Sequence, residues 1–244
     1  MASNVANSLC GAVPHRVRGK RGDGKSKQHK WDRNISEEMW STTFPQIVTH
    51  EKMLVGCEPE FDEFVDRMQL LGEKLGPLLF QFPKFTKYQI QPDEFSRRLR
   101  FLLKRVKGLP TVRFAVEIRN KGWLDERFTD LLREYNVALA LTDTSFMPRP
   151  WEMKEQFDLV TADFGYVRWL GDRHGIEKTT QVWDKTVVNR ESDLKHWVDV
   201  LRELVLNKKI RKVFAFSNNH YGGHAPATVK LFWDLWEKEK PGTS

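Results

Sequence analysis

Cysteine is scarce. Cys10 and Cys57 are the only two among 244 residues. Two thiols exclude a disulfide framework, and their spacing suits no zinc site. Long apolar runs are missing too: none nears the ~18–20 residues of a bilayer span. No apolar stretch of about seven residues follows a basic start, which argues against a secretory signal. Neither G-x-G-x-x-G nor a Walker A pattern follows an apolar run, which counts against dinucleotide and P-loop folds. Most of the chain also lacks an excess of charge. The net charge is +7, but residues 1–34 hold eight of the 40 Lys and Arg and two of the 33 Asp and Glu. That stretch carries +6 and the rest only +1. Aromatics are plentiful, with nine Trp and sixteen Phe, and 40% of residues are hydrophobic. Such a chain builds a core and is not wholly disordered.

Residues 1–40 read as a flexible basic tail, and 41–244 as the folded domain. Between residues 11 and 34, Gly, Lys, Arg and Ser dominate without a hydrophobic period. Three readings of the tail stand side by side. It is a solvated linker or misread start, an organelle-targeting peptide, or a patch that attracts phosphate for nucleic-acid binding or nuclear import. Nucleic acid is thus a partner through the tail only. No membrane partner is expected, and the location expected is the cytoplasm.

Beyond residue 58 the hydrophobic period alternates between helix and strand. Phe61, Phe64, Val65, Met68, Leu71 and Leu75 form one helical stripe. A short apolar run from Pro77 to Phe82 reads as a buried strand. Phe95, Leu99, Leu102 and Val106 mark the next helix, ended by Gly108 and Pro110. Strands are predicted over 112–118, 137–142, 164–169 and 212–217. Helices are predicted over 124–135, 193–206 and 226–238. This order gives a parallel α/β sheet, as a doubly wound sheet or a TIM-type (β/α) barrel. The barrel is favoured because polar residues gather at the strand tips: Gln81, Glu117, Arg119, Asp143, Arg168 and Asn219. The strand starts are spaced by about 33 residues, so eight units would need roughly 270. Only five strands are evident, with room for at most one more short strand in residues 35–77. A partial barrel of about five units is expected, with open edges that favour aggregation or oligomerisation.

Several motifs resemble one family. The run Phe114-Ala-Val-Glu-Ile-Arg119 with Trp123 resembles a signature of the domain-of-unknown-function 72 (YecE-like) family. Lys74 to Pro83, Leu141-Thr-Asp143, Tyr166 to Gly171, Val213 to Asn219, Phe44-Pro45 and Thr49-His50 are similar in the same order. The resemblance covers about residues 44–239. It implies a TIM-type barrel related to sugar isomerases and metal-dependent endonucleases, with no established activity. The family's opening Gly-x-Ser/Thr-x-x-Trp strand and its Glu-x-Asn-like strand have no counterpart here, and Leu170 stands at a usual histidine. On the resemblance the chain is N-terminally incomplete.

Strand alternation sorts the candidate site residues. Phe114, Val116 and Ile118 suit packing on helices, which points Glu117 and Arg119 into the barrel mouth. The same logic turns Leu79 and Gln81, then Tyr166 and Arg168, inward. Phe214 and Phe216 are expected to face helices, leaving Ala215, Ser217 and Asn219 inside. The direction of Asp143 stays open. Glu117 is the candidate general acid or base, with Asp143 as a second carboxylate. The competing readings are a structural ion pair for Glu117 and a capping or turn role for Asp143. Gln81, Arg119, Arg168, Asn219, Gly222 and Gly223 are candidate substrate-binding residues. Arg168 and the two glycines would take an anionic group, as loops after late barrel strands do, unless the glycines serve only the turn. His220 and His224, four apart, and His50 form no convincing metal set. Trp123 and Trp169 read as packing residues. No cofactor is indicated.

These features lead to three readings. The first is a sugar-isomerase-like or lyase-type enzyme acting on a small phosphate- or carboxylate-bearing substrate. The others are a nucleic-acid-processing barrel and a truncated, inactive fragment. The near-neutral body favours the first, because a duplex-binding face needs a basic footprint on the folded part.

Overall fold

The computed structural model describes residues 39–206, 210 and 212–238. The basic stretch before residue 39, and the flexible-tail reading with it, lies outside the described residues.

Six parallel strands follow one another across a single sheet in chain order. They are β1 (Trp40–Thr43), β2 (Leu75–Gln81), β3 (Phe114–Glu117), β4 (Ala138–Thr144), β5 (Phe164–Gly171) and β6 (Lys212–Ser217). The additional strand, β1, falls where the sequence leaves room for one short strand. The helices are α1 (Glu58–Gln69), α2 (Pro92–Val106), α3 (Glu126–Glu134), α4 (Pro150–Met153), α5 (Arg173–Thr179), α6 (Glu191–Leu206), α7 (Asn219–Gly222) and α8 (Ala225–Lys238).

Local chemistry accounts for the helix boundaries. Pro92 opens α2, where a missing N–H costs nothing. The Asp125 side chain caps α3 by accepting from the Phe128 N–H at 2.8 Å. The stripe expected to run on to Leu75 breaks after Gln69. Gly72 adopts φ +54°, which turns the chain out of the helix and into β2.

The sheet is curled. The Ser41 hydroxyl of β1 lies 3.0 Å from the Tyr166 hydroxyl of β5. The Lys212 ammonium of β6 donates to the Met39 sulfur beside β1 at 3.2 Å. Strands at opposite ends of a flat sheet could not meet in this way, because neighbouring strands stand ~4.8 Å apart.

Curling separates two cores. The outer core lies between sheet and helices and holds Phe44, Phe61, Phe80 and Phe114 with the buried α2 stripe Phe95, Leu99, Leu102, Leu103 and Val106. The Phe44 and Phe80 rings stack with centroids 3.9 Å apart. The inner core fills the concave side with Leu79, Ala115, Ala138, Ala140, Phe164, Tyr166, Phe214 and Phe216.

That inner core corrects the orientation expected for β6. Tyr166 pairs in register with Phe214, and Arg168 with Phe216. Parallel partners share a face, so both phenylalanines point inside, while Ala215 belongs to the outer core. Ser217 is in register with Trp169 on the helix side. Asn219 lies beyond the strand, in α7. The aromatic-face rule fails here because a barrel sheet is apolar on both sides.

Candidate functional site

The concave face changes character along the strands. Its lower layers are aromatic and small apolar residues. At the C-terminal tips alternation places Gln81, Glu117, Thr142 and Arg168 over that floor. Gln81 is in register with Glu117, and Thr142 with Arg168. This layer is the mouth of the curl.

Glu117 is its centre. The residue is 0% exposed. One carboxylate oxygen accepts from the Arg168 guanidinium at 2.5 Å. The other forms an ion pair with Arg119. Arg168 also donates to the Gln81 side chain at 3.1 Å. The two arginine side chains keep 18% and 17% of their surface exposed, for Arg119 and Arg168. The carboxylate is sealed, while the cations reach the opening. Burial alone would lower the pKa of Arg168, but the charges of Glu117 and Tyr166 and the bond to Glu117 hold it above the ordinary value. One layer below, burial pushes the Tyr166 hydroxyl up to about 12, against the smaller opposing effects of Arg168 and Ser41. Ser41 donates to the Pro77 carbonyl at 2.5 Å. Its single proton is thereby used, so Tyr166 donates to Ser41.

Two further polar groups at the mouth have no hydrogen-bond partner among the described residues. They are the Thr144 hydroxyl and the Arg119 Nε–H. Thr144 is 2% exposed and follows Ala138, Ala140 and Thr142 at every second residue, past a register shift against β5. Burying such a group without a partner costs ~1–3 kcal/mol. The Phe146 ring, 49% exposed, stands at the rim with the Arg119 guanidinium 5.4 Å from its centroid.

Asp143 faces the opposite way. It continues the outward series Leu139 and Leu141, both in the outer core. Its carboxylate accepts from Trp197 Nε1 at 2.8 Å and from the Tyr221 hydroxyl at 2.8 Å. Arg149 completes the set as an ion-pair partner. Burial drives the Tyr221 hydroxyl well above the ordinary phenol range. Asp143 therefore ties β4 to α6, α7 and the loop before α4, and is not joined to Glu117.

The residues after β6 also serve the fold. The Asn219 side chain accepts from the Ala225 N–H at 2.8 Å and caps α8. The Gly222 carbonyl accepts from the N–H groups of Val187 and Val188, and the Gly223 N–H donates to the Asn219 carbonyl. Gly223 sits at φ +106°, and a Cβ there would lie 2.6 Å from the Lys185 carbonyl. Both glycines are thus packed against residues 185–188. His220 bridges Asn218 and Glu177 through its two ring nitrogens, at 2.6 and 3.1 Å. His50 bonds Thr49 at 2.8 Å, and burial lowers its pKa. Among the described residues no group of three or more His, Cys, Asp or Glu could hold a metal ion. Trp169 is fully buried against Phe232, and Trp123 packs on Phe85 and Phe95.

Sequence reasoning gave no site role to Thr142, Ser41 or Phe146, and none to Thr144 beyond its place among the polar residues at a strand tip. The β4 series Ala-Ala-Thr-Thr at every second residue carried the signal for the two threonines. Phe146, in a loop, carried none.

A parallel sheet curled around an apolar floor, with polar groups on its C-terminal rim, is the architecture of TIM-type barrels. The model of the protein family of unknown function DUF72 matches residues 25–243, and the chain belongs to that family. Its fold resembles the crystal structure of a DUF72 family protein from Thermotoga maritima, with a TM-score of 0.59 at 21% identity, covering 82% of this chain and 74% of that one. A DUF72 family protein from Enterococcus faecalis is similar with a TM-score of 0.50 at 17% identity, covering 78% of this chain and 66% of that one. No curated protein matches. Among the described residues no helix is long and apolar enough to cross a membrane.

Proposed function

We propose that the protein is a small-molecule enzyme whose mouth binds an anionic substrate, with Glu117 as the acid–base group. The observation that carries this reading is the pairing of one sealed carboxylate with two guanidiniums that reach the opening. Glu117, Arg119 and Arg168 sum to +1. An anion arriving at Arg119 and Arg168 finds donors already oriented by Glu117 and Gln81, so little reorganisation is needed. Glu117 then lies beside the bound group and can take up a proton from a carbon or hydroxyl next to it. Acid–base chemistry of the isomerase or lyase type fits these parts, because it needs a base, an anion clamp and a shielded floor. Tyr166 supplies that floor.

Proton exchange tests the reading without knowledge of the product. The full chain is incubated in D2O with sugar acids, sugar phosphates and small 2-hydroxy acids, and deuterium uptake is followed by NMR. Uptake into one of these classes, lost in Glu117→Gln, is the expected result. Uptake unchanged in that variant would overturn the role of Glu117. Crystals soaked in sulfate that show no anion within reach of Arg168 would overturn the clamp.

A further inference from the structure

The mouth holds more than an anion clamp. The Thr144 hydroxyl at the end of β4 is buried and unpaired, and so is the Arg119 Nε–H just beyond β3. These are two idle hydrogen-bonding groups at the ends of neighbouring strands. Above them Phe146 exposes half its surface at the end of β4, although most large apolar side chains of this domain are buried. Its ring lies against the Arg119 cation. A flat apolar face therefore adjoins the charged clamp, two residues along the chain from an unused hydroxyl.

The charge sets the size of the anion. The triad of Glu117, Arg119 and Arg168 sums to +1. One carboxylate brings it to zero, whereas a phosphate monoester, at about −1.5 to −2 near neutral pH, overshoots and leaves uncompensated charge in a half-buried site. An aromatic rim suits the C–H face of a saturated ring, and idle hydroxyl and N–H groups suit ring hydroxyls.

We propose that the mouth selects a sugar acid, with its carboxylate on Arg119 and Arg168, its ring against Phe146 and a hydroxyl on Thr144. This rests on the mouth being the anion site described above and adds the class of ligand.

The test uses calorimetry on the full chain with glucuronate, galacturonate, gluconate, glucose, glucose 6-phosphate and acetate. At least one sugar acid is expected to bind about tenfold tighter than both acetate and glucose 6-phosphate. In Phe146→Ala that affinity falls about threefold to tenfold, acetate binding is unchanged, and Phe146→Tyr restores the sugar acid. Phe146 is half exposed, and equal melting temperatures for the two variants verify that the fold survives. Tighter binding of glucose 6-phosphate overturns the sugar-acid assignment and leaves the anion site standing. Sugar acids that bind no better than acetate, or that ignore Phe146→Ala, do the same. No binding by any anion overturns both.

Discussion

Asp143 and Glu117 are neighbours in the sheet, on the tips of β4 and β3, and each is a buried carboxylate facing arginine. Their surroundings differ. Asp143 takes its donors from α6, α7 and the loop before α4, so its partners lock separate elements together. Glu117 takes its partners from strand ends alone, and one of them, Arg119, keeps a buried unpaired N–H. A carboxylate whose partners are all committed to the scaffold has nothing left to offer a ligand. One whose two cations share a layer of strand tips does, although Arg149 beside Asp143 is no less exposed than either of them. Residue type does not separate the two; the parity of the position along its strand does.

The sharpest way to separate them is by exchanging functions for stabilities. Glu117→Gln is expected to lower deuterium exchange about 10²–10⁴-fold. Its melting temperature should fall less than that of Asp143→Ala, because Arg119 and Arg168 can turn toward water. Asp143→Ala should cost about 3–5 kcal/mol by stranding Arg149 and two donors, read as a fall of roughly 6–20 °C in melting temperature. Anion binding at the mouth should survive in that variant. Its loss in a folded Asp143→Ala would mean that the two carboxylates form one site.

The tyrosines give a subtler contrast. Tyr166 belongs to the mouth and Tyr221 to the Asp143 cluster, and burial raises both. A raised pKa means that the folded state keeps its proton longer than the unfolded chain does. Stability is therefore complete below the ordinary pKa of 10 and lost as pH climbs toward about 12 for Tyr166. That contribution is on the order of 2–3 kcal/mol. Tyr166→Phe should flatten the alkaline fall in stability over this interval, measured by urea unfolding at successive pH values. An unchanged slope would contradict the burial of the phenol. The smallest effect belongs to the surface. Arg97 pairs with Glu94 at 2.7 Å but is 75% exposed. Arg97→Ala should leave the melting temperature unchanged within error, and a clear loss would show that charges on the helical exterior matter as much as those inside.

The layering of the sheet and the inward turn of Glu117, Gln81 and Arg168 were legible because β2, β3 and β5 differ from face to face. In β6 both faces are apolar, and composition could not assign Phe214 and Phe216. Only the register against Tyr166 and Arg168 does so. Asp143 stood open between a second carboxylate and a capping role because its strand turns into a loop there, and its partners Trp197 and Tyr221 lie 54 and 78 residues away. Gly222 and Gly223 looked like an anion cradle, yet their fit against Lys185 and Val187 depends on a segment with no pattern of its own. β1 was too short, at four residues, to announce itself by period.

The order of the strands has a consequence for how the molecule comes into being. Every strand pairs with the one made just before it, so the sheet can extend stepwise from its first edge as the chain emerges during synthesis. The contacts that define the mouth do not follow that schedule. Glu117 meets Arg168 across 51 residues, and Ser41 meets Tyr166 across 125. A growing chain thus carries the incomplete curl for most of its synthesis and acquires the paired arginines only once β5 docks. The mouth is a late product of folding, and defects in β5 would leave the helical exterior around an unassembled centre.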